Sequence, residues 1–275
     1  MKLIHYISNS LATLAAVCAL ASCSNIDEDK RLIEVEAPTV SKNVLIEDYT
    51  GQLCSNCPNA TETIHELQTD YGDDRVIAVG IYSGKFGYNR QGKPLPLTTE
   101  VGNNYAVAWG VDGQPCGVID RQGRNESYGT WRKTVEERLQ IQTPVKMDAS
   151  LMVMGGKVIM TIHTTVKYTD ANEENKLNGT RIMAWLMEDS IVSPQVMPTG
   201  KTNSTYIHNH VFRQTLSPAE GEAIDLTADE NHRTNTYTLD VDPAWVTKHL
   251  TAVAFVYDKN GVQQVVKANT GDCCE

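Results

Sequence analysis

Apolar residues change their period as this chain is read from residue 42 onward. Val44, Leu45 and Ile46 stand together in Lys42–Tyr49, the pattern of a strand buried on both faces. Thr50 and Gly51 then make a turn. Ala60, Ile64, Leu67 and Tyr71 recur at spacings of four, three and four, which predicts one face of a helix. Pro58 stands where a first helical turn tolerates it. Gly72-Asp73-Asp74 closes the helix, and Val76–Tyr82 (VIAVGIY) is a second buried strand. Strand, helix and strand in so short a span predict a βαβ unit with a parallel pair.

Residues 83–98 carry Gly, Pro and Lys and read as an inserted loop. A helix is expected over Thr99–Trp109, with Val101, Tyr105 and Ala108 on one face. Gly113-Gln114-Pro115 breaks the chain before a short strand, Cys116–Asp120. Trp131, Val135 and Leu139 mark a last helix that ends before Pro144, so a first, α/β domain is placed at 41–142.

From Val145 the texture changes to short alternating segments. Met147–Met154 and Lys157–Tyr168 flank Gly155-Gly156, a two-residue hairpin signal. Further strands are expected at Thr180–Glu188, Thr205–Leu216, Thr234–Val241, Ala252–Tyr257 and Val262–Ala268. Met152, Met154, Met160, Met183 and Met187 fall in these segments and are read as core. Short strands at such spacing predict an all-β second domain, an immunoglobulin-like β-sandwich over 145–275.

The first residues follow neither pattern. Lys2 precedes an apolar stretch, Leu11–Leu20, broken only by Thr13. As a helix it is too short to span a bilayer, which takes roughly 20 residues, but it fits the apolar region of a signal peptide. Leu20-Ala21-Ser22-Cys23 resembles a bacterial lipobox, which implies cleavage after residue 22 and lipid attachment at Cys23. Residues 23–40 then form an acidic tether, in which Asp27-Glu28-Asp29 resembles the surface-export signal of Bacteroidetes lipoproteins. The expectation is a lipid-anchored protein of the cell envelope, the outer membrane, held by lipid and not by a transmembrane span. The net charge of −10 argues against non-specific nucleic-acid binding, which needs a cationic surface.

Chemistry concentrates in the first domain. Cys54-Ser55-Asn56-Cys57 is a CxxC between a buried strand and a helix. A thiol at a helix N-terminus faces unpaired N–H groups and the positive end of the dipole, both of which favour the nucleophilic thiolate. A second cysteine one turn along can resolve a mixed disulfide. With the βαβ context, the motif points to a thioredoxin fold. Asp48, six positions before Cys54, matches the buried acid of thioredoxins, thought to move the proton of the resolving cysteine. Pro115, ahead of a short strand, matches their cis-proline loop.

The chain resembles a Bacteroidetes family of outer-membrane lipoproteins, named for a twenty-eight-kilodalton protein, that joins a thioredoxin-like domain to a C-terminal β-sandwich. The match is carried by Asp48-Tyr49-Thr50-Gly51-Gln52-Leu53-Cys54-Ser55-Asn56-Cys57-Pro58, by Tyr206–Arg213 (YIHNHVFR) and by Val253–Tyr257 (VAFVY). It implies fold and location, but no substrate. Leu53 replaces the tryptophan usual before the first cysteine and Ser55-Asn56 replace Gly-Pro, so this active-site surface is its own.

Other candidates weigh less. Cys116 could complete a three-thiol metal cluster, but a small buried cysteine in a strand is the simpler reading. Cys273-Cys274 reads as a frayed tail, since a disulfide between neighbours is strained. His208 and His210 flank Asn209, and hydrogen bonding within the fold explains them better than a nuclease or metal site does. No Gly-rich phosphate loop, GxSxG or HExxH occurs. Two functions remain. One is a thiol–disulfide oxidoreductase acting on envelope or extracellular proteins, with Cys54 attacking, Cys57 resolving, Asp48 shuttling a proton and Pro115 shaping the groove. It needs no cofactor and no metal. The other is a non-enzymatic surface protein in which Cys54–Cys57 is a fixed staple.

Overall fold

The run Val44–Ile46 is buried on both sides because its side chains alternate between two cores. Val44 and Ile46 pack with Ala60, Ile64, Leu67, Trp131 and Val135, while Leu45 and Tyr49 enter a second cluster with Ile77, Val79, Trp185 and Phe255. That second cluster draws on both halves of the chain, and it decides the architecture.

The computed structural model describes residues 39–168, 177–228 and 230–271. The expected leader, Cys23, nearly all of the acidic tether and the pair Cys273-Cys274 lie outside the described residues. In chain order the first half has β1 (Val40–Ser41), β2 (Val44–Thr50), α1 (Cys57–Tyr71), β3 (Val76–Tyr82), α2 (Glu100–Ala108), β4 (Cys116–Ile119), β5 (Arg124–Asn125), α3 (Trp131–Leu139) and β6 (Gln142–Thr143). The second half has β7 (Val145–Met154), β8 (Lys157–Lys167), β9 (Arg181–Glu188), β10 (Ile191–Val196), β11 (Thr202–His208) and β12 (Val211–Thr215). It ends with β13 (Glu222–Ala223), β14 (Glu230–Asp240), β15 (Leu250–Asp258) and β16 (Gly261–Asn269). The fold is mixed α/β with mostly β structure. No helix among the described residues is long and apolar enough to cross a membrane.

In the first half the strand order is β3-β2-β4-β5, with β2 and β3 parallel and β4 antiparallel to β2. This is the order and polarity that a thioredoxin-like unit requires. Pro58 lies in the first turn of α1, as expected. Ala60, Ile64 and Leu67 are buried, but Tyr71 is exposed. In α2 Tyr105 is buried and Val101 packs against the same core, as expected, but Ala108 is exposed and Gly102 and Ala106 take the inner positions instead.

The second half departs from the expected free-standing immunoglobulin-like sandwich. A single bridge, Val211 to Gly80, joins β12 to β3 in parallel. The sheet of the first half thereby continues through β12 and β9 to β15 and β16. Along β9 and β15, Met183, Trp185, Met187, Val253 and Phe255 face the core shared with the first half. Their neighbours Ile182, Ala184, Leu186, Ala252, Ala254 and Val256 face the three-stranded sheet β14-β8-β7. Two sheets do pack face to face, but one of them belongs to both halves. The expected boundary near 142–145 falls inside one compact unit, residues 38–275.

Smaller corrections have local causes. Thr205–Leu216 is two strands, because His210 adopts a positive φ of 57° at the turn between β11 and β12. Ile191–Val196 is a strand despite Pro194, which an edge position tolerates, and it pairs only with β11. Met160, Met183 and Met187 are core, whereas Met152 and Met154 are exposed on β7. The hairpin at Gly155-Gly156 forms as expected, both glycines having positive φ.

Candidate functional site

The chain leaves β2 at Thr50 and reaches α1 at Cys57 through the CxxC loop. Cys54 and Cys57 are joined in a disulfide with Cα atoms 5.4 Å apart. The Cys57 N–H, one of the unpaired donors at the start of α1, donates to Cys54 Sγ at 3.1 Å. The same N–H would stabilise a thiolate there when the pair is reduced. The Cys54 N–H closes the turn on the Gly51 carbonyl at 3.0 Å.

Three segments enclose this loop. The inserted segment 83–98 lies beside it: the Leu53 N–H donates to the Phe86 carbonyl at 3.0 Å. A Cβ on Gly51 would come within 2.7 Å of the Phe86 backbone, so only glycine fits. The second segment is the Pro115 loop. The Gln114–Pro115 bond is cis, and Gln114 Nε2 donates to the carbonyls of Thr50 and Ser83, each at 2.7 Å. The loop is thus tied to the last residue of β2 and to the residue that follows β3.

The third segment is the β10–β11 hairpin. The Val196 N–H donates to the Gln52 carbonyl at 2.9 Å. Gln52 Nε2 reaches Ser193 Oγ at 2.8 Å and the Pro194 carbonyl at 2.9 Å. Gln195 Nε2 donates to the Cys54 carbonyl at 2.9 Å and to the Gly51 carbonyl at 3.3 Å. Cys54 and Cys57 are each 2 % exposed. The oxidised site is therefore closed.

Asp48 is buried near the end of β2, opposite Gly80 on β3 and Gly117 on β4. Its Oδ1 has no hydrogen-bond partner among the described residues. Burial alone pushes its carboxyl up to about 7. Tyr82 and Tyr206 line the same cavity, and burial first, with the nearby Asp48 charge adding to it, raises both phenols.

His208 closes the far wall. Its Nε2 lies 3.1 Å from the Ser193 carbonyl, which only accepts, so Nε2 carries the hydrogen. Burial holds the ring neutral, its pKa lowered to about 4, and Nδ1 accepts the Tyr82 hydroxyl proton at 2.7 Å. This agrees with the structural reading of His208; His210 instead pairs with Asp189 at 3.3 Å.

Cys116 is fully buried as a cross-strand neighbour of Tyr49, and burial pushes its thiol up to about 11. It is a small core residue there. No group of three His, Cys, Asp or Glu among the described residues is placed to hold a metal ion.

The structure thus joins Cys54 and Cys57 in a buried pair, ties the Pro115 loop to Thr50 at the end of β2, and places Asp48 on the same strand just before that end. Sequence reasoning missed Gln52, Ser193, Gln195 and the Tyr82–His208 bond. Polar residues in a turn and an edge strand produce no periodic signal. The one usable hint was Tyr206–Arg213, a motif noticed for its resemblance and not for its position.

The model of the family described as outer membrane protein Omp28 matches residues 102–272. No curated protein matches the chain. Among solved structures, HBP35 of Porphyromonas gingivalis aligns with a TM-score of 0.65 at 19% identity, covering 86% of this chain and 79% of that one. A protein of Agrobacterium tumefaciens aligns with a TM-score of 0.51 at 15% identity, covering 86% and 97%. A domain of the outer membrane lipoprotein Omp28 from Porphyromonas gingivalis covers 46% of this chain and 88% of its own, at 21% identity and a TM-score of 0.33. At these identities the first two are likenesses of fold alone.

Proposed function

Because the chain belongs to the outer membrane protein family Omp28, we propose that it is a lipid-anchored envelope protein whose thioredoxin-like half exchanges thiols and disulfides with envelope or extracellular proteins. The anchor is Cys23, supported by the lipobox-like Leu20–Cys23. The acidic run Asp27–Asp29 supports exposure at the outer surface.

The observation that carries the redox reading is Asp48. A disulfide that serves only as a staple has no use for an ionisable group, and an unpaired buried carboxyl costs stability. A carboxyl held near 7 at the CxxC end of β2 is matched to proton transfer at neutral pH. In the oxidised form, a substrate thiolate attacks Cys54 Sγ. The Cys54–Cys57 bond breaks, and Cys57 leaves as a thiolate that takes the proton of Asp48. A second substrate thiol, losing its proton to solvent, attacks the substrate sulfur of the mixed disulfide, and Cys54 leaves. The substrate is oxidised to a disulfide by two electrons, and the cysteine pair is reduced by two. In the reverse direction Cys54 attacks a substrate disulfide and Cys57, deprotonated by Asp48, resolves it. Pro115 shapes the groove in both directions. Since both cysteines are buried and the β10–β11 hairpin holds the backbone of Gly51, Gln52 and Cys54, exchange requires the hairpin to lift.

That same burial supports a second reading, a non-enzymatic surface protein with a fixed disulfide. The two readings are separated by an exchange assay on a model disulfide and by partner trapping. The redox reading expects Cys54→Ser to abolish exchange and Cys57→Ser to accumulate mixed disulfides. Unchanged activity in Cys54→Ser would refute the role given to that thiol.

A further inference from the structure

The cavity beside Asp48 has a volume of about 170 Å³ and lies between the outer face of α1 and strand β11. Asp48, Ile64, Tyr82, Tyr206 and His208 are among its walls, and Glu62 and His65 stand on its α1 side. Its hydrogen-bonding groups are unbalanced. The Tyr82 hydroxyl proton is committed to His208, so Tyr82 offers the cavity only oxygen lone pairs. His208 has both ring nitrogens engaged, one with Tyr82 and one with Ser193. Asp48 Oδ1 is buried and unpartnered, and an ionised carboxylate only accepts. The hydroxyls of Thr50, Thr61 and Tyr206 and the amides of Gln68 and Asn209 also line this space, yet none of the described residues donates to Asp48 Oδ1, which is left as an unfilled acceptor beside the Tyr82 oxygen.

Charge is unbalanced in the same sense. Among the described residues no lysine or arginine lines the cavity. On α1 the groups facing it are Glu62 and His65. From beyond β11 comes His210, already paired with Asp189. Behind Asp48, β4 contributes only the Cys116 thiol, which stays neutral. A buried carboxylate with no cationic partner is the costly arrangement that proteins usually avoid.

We propose that this cavity is a binding site for a small ammonium cation, a primary amine such as methylammonium, with Asp48 as counter-ion. The N–H groups of the cation satisfy Asp48 and the Tyr82 oxygen. Its apolar end meets Ile64 and the Tyr206 ring, which lies tilted at 60° with its centroid 4.8 Å from that of His208. The absence of any three-ligand cluster among the described residues points away from a transition metal. The competing arrangement is a proton on Asp48 itself, and it wins at lower pH.

The test is thermal unfolding of the mature, disulfide-intact protein at pH 8, in methylammonium chloride and in sodium chloride at equal ionic strength. The site predicts a rise in Tm that grows with the logarithm of the methylammonium concentration and reaches roughly 3–5 °C at ten times the dissociation constant. The rise shrinks at pH 6 and vanishes in Asp48→Asn, which keeps the side-chain shape and folds without a buried charge. Tetramethylammonium, with no N–H donor, gives no such rise. Equal Tm in the two salts, an equal rise in Asp48→Asn, or an equal rise with tetramethylammonium would each overturn the proposal. The cysteine pair stays oxidised throughout, so a negative result leaves the thiol-exchange reading untouched.

Discussion

Asp48 and His208 sit on the same cavity, and their contributions to stability answer pH in opposite directions. The Asp48 carboxyl is raised from 3.8 to about 7 on folding, so the folded chain binds more protons than the unfolded one between those values. Stability from this group therefore falls as pH rises from 4 to 7, by about 4 kcal/mol in total, and stays low above 7. His208 is lowered from 6.5 to about 4, and its contribution rises over nearly the same range. Urea unfolding of wild type and Asp48→Asn at several pH values should show the variant gaining on wild type steadily from pH 4 to 7; parallel curves would mean that Asp48 is not a buried acid. Gly51 gives a steric prediction. Alanine there meets the Phe86 backbone, which cannot swing aside as a side-chain tip would. Gly51→Ala should cost about 1–3 kcal/mol and make the disulfide more accessible to dithiothreitol, read as a faster reduction rate. The Cys54–Cys57 pair was legible from its motif, and the burial of Asp48 and the cis bond at Pro115 from their match to thioredoxins. Gln52 and Gln195 were not, since their partners are 141 to 144 residues away.

The β10–β11 hairpin is the element that decides access to the sulfurs. It is outside the main sheet, and its outward pair Val192 and Ile207 is exposed, so few apolar contacts oppose its movement. Its hold on the CxxC loop is by hydrogen bonds, each worth about 1 kcal/mol net. Gln195→Ala removes its bonds to Gly51 and Cys54 and should speed reduction of Cys54–Cys57 by roughly tenfold. Val192→Ser, on the far face, should leave the rate alone. An unchanged rate in Gln195→Ala would show that the hairpin does not gate the site. Strands β2, β3, β8, β9, β15 and β16 could be read from their apolar pattern because packing imposes it. Strand β10 could not, since it is short, contains Pro194 and answers to one neighbour only.

At the scale of the molecule, the two halves share a sheet and a core. Trp185, Phe212 and Phe255 pack edge to face, at 4.9 and 5.6 Å from the Trp185 ring, in a cluster that also holds Leu45, Tyr49 and Ile81 of the first half. A fragment ending near residue 142 would keep only α2 over the side of its sheet where Leu45, Tyr49 and Ile81 meet Trp185, Phe212 and Phe255. It should fail to fold by circular dichroism, whereas residues 24–275 unfold in a single transition. Trp185→Ala, though far along the chain from the cysteines, should destabilise that transition by about 3–5 kcal/mol. The sequence showed the change of texture at Val145 but not the junction. The junction rests on one bridge between Val211 and Gly80, and periodicity within a strand says nothing about which strand lies beside it.

The central claim, that Cys54–Cys57 is an exchanging pair and not a staple, is tested most directly by its reduction potential in residues 24–275. The account predicts a value within the range of exchange catalysts, about −270 to −120 mV, with equilibration that quickens when Gln195 is replaced. A potential below about −300 mV, with a pair that resists reduction even in Gln195→Ala, would contradict it.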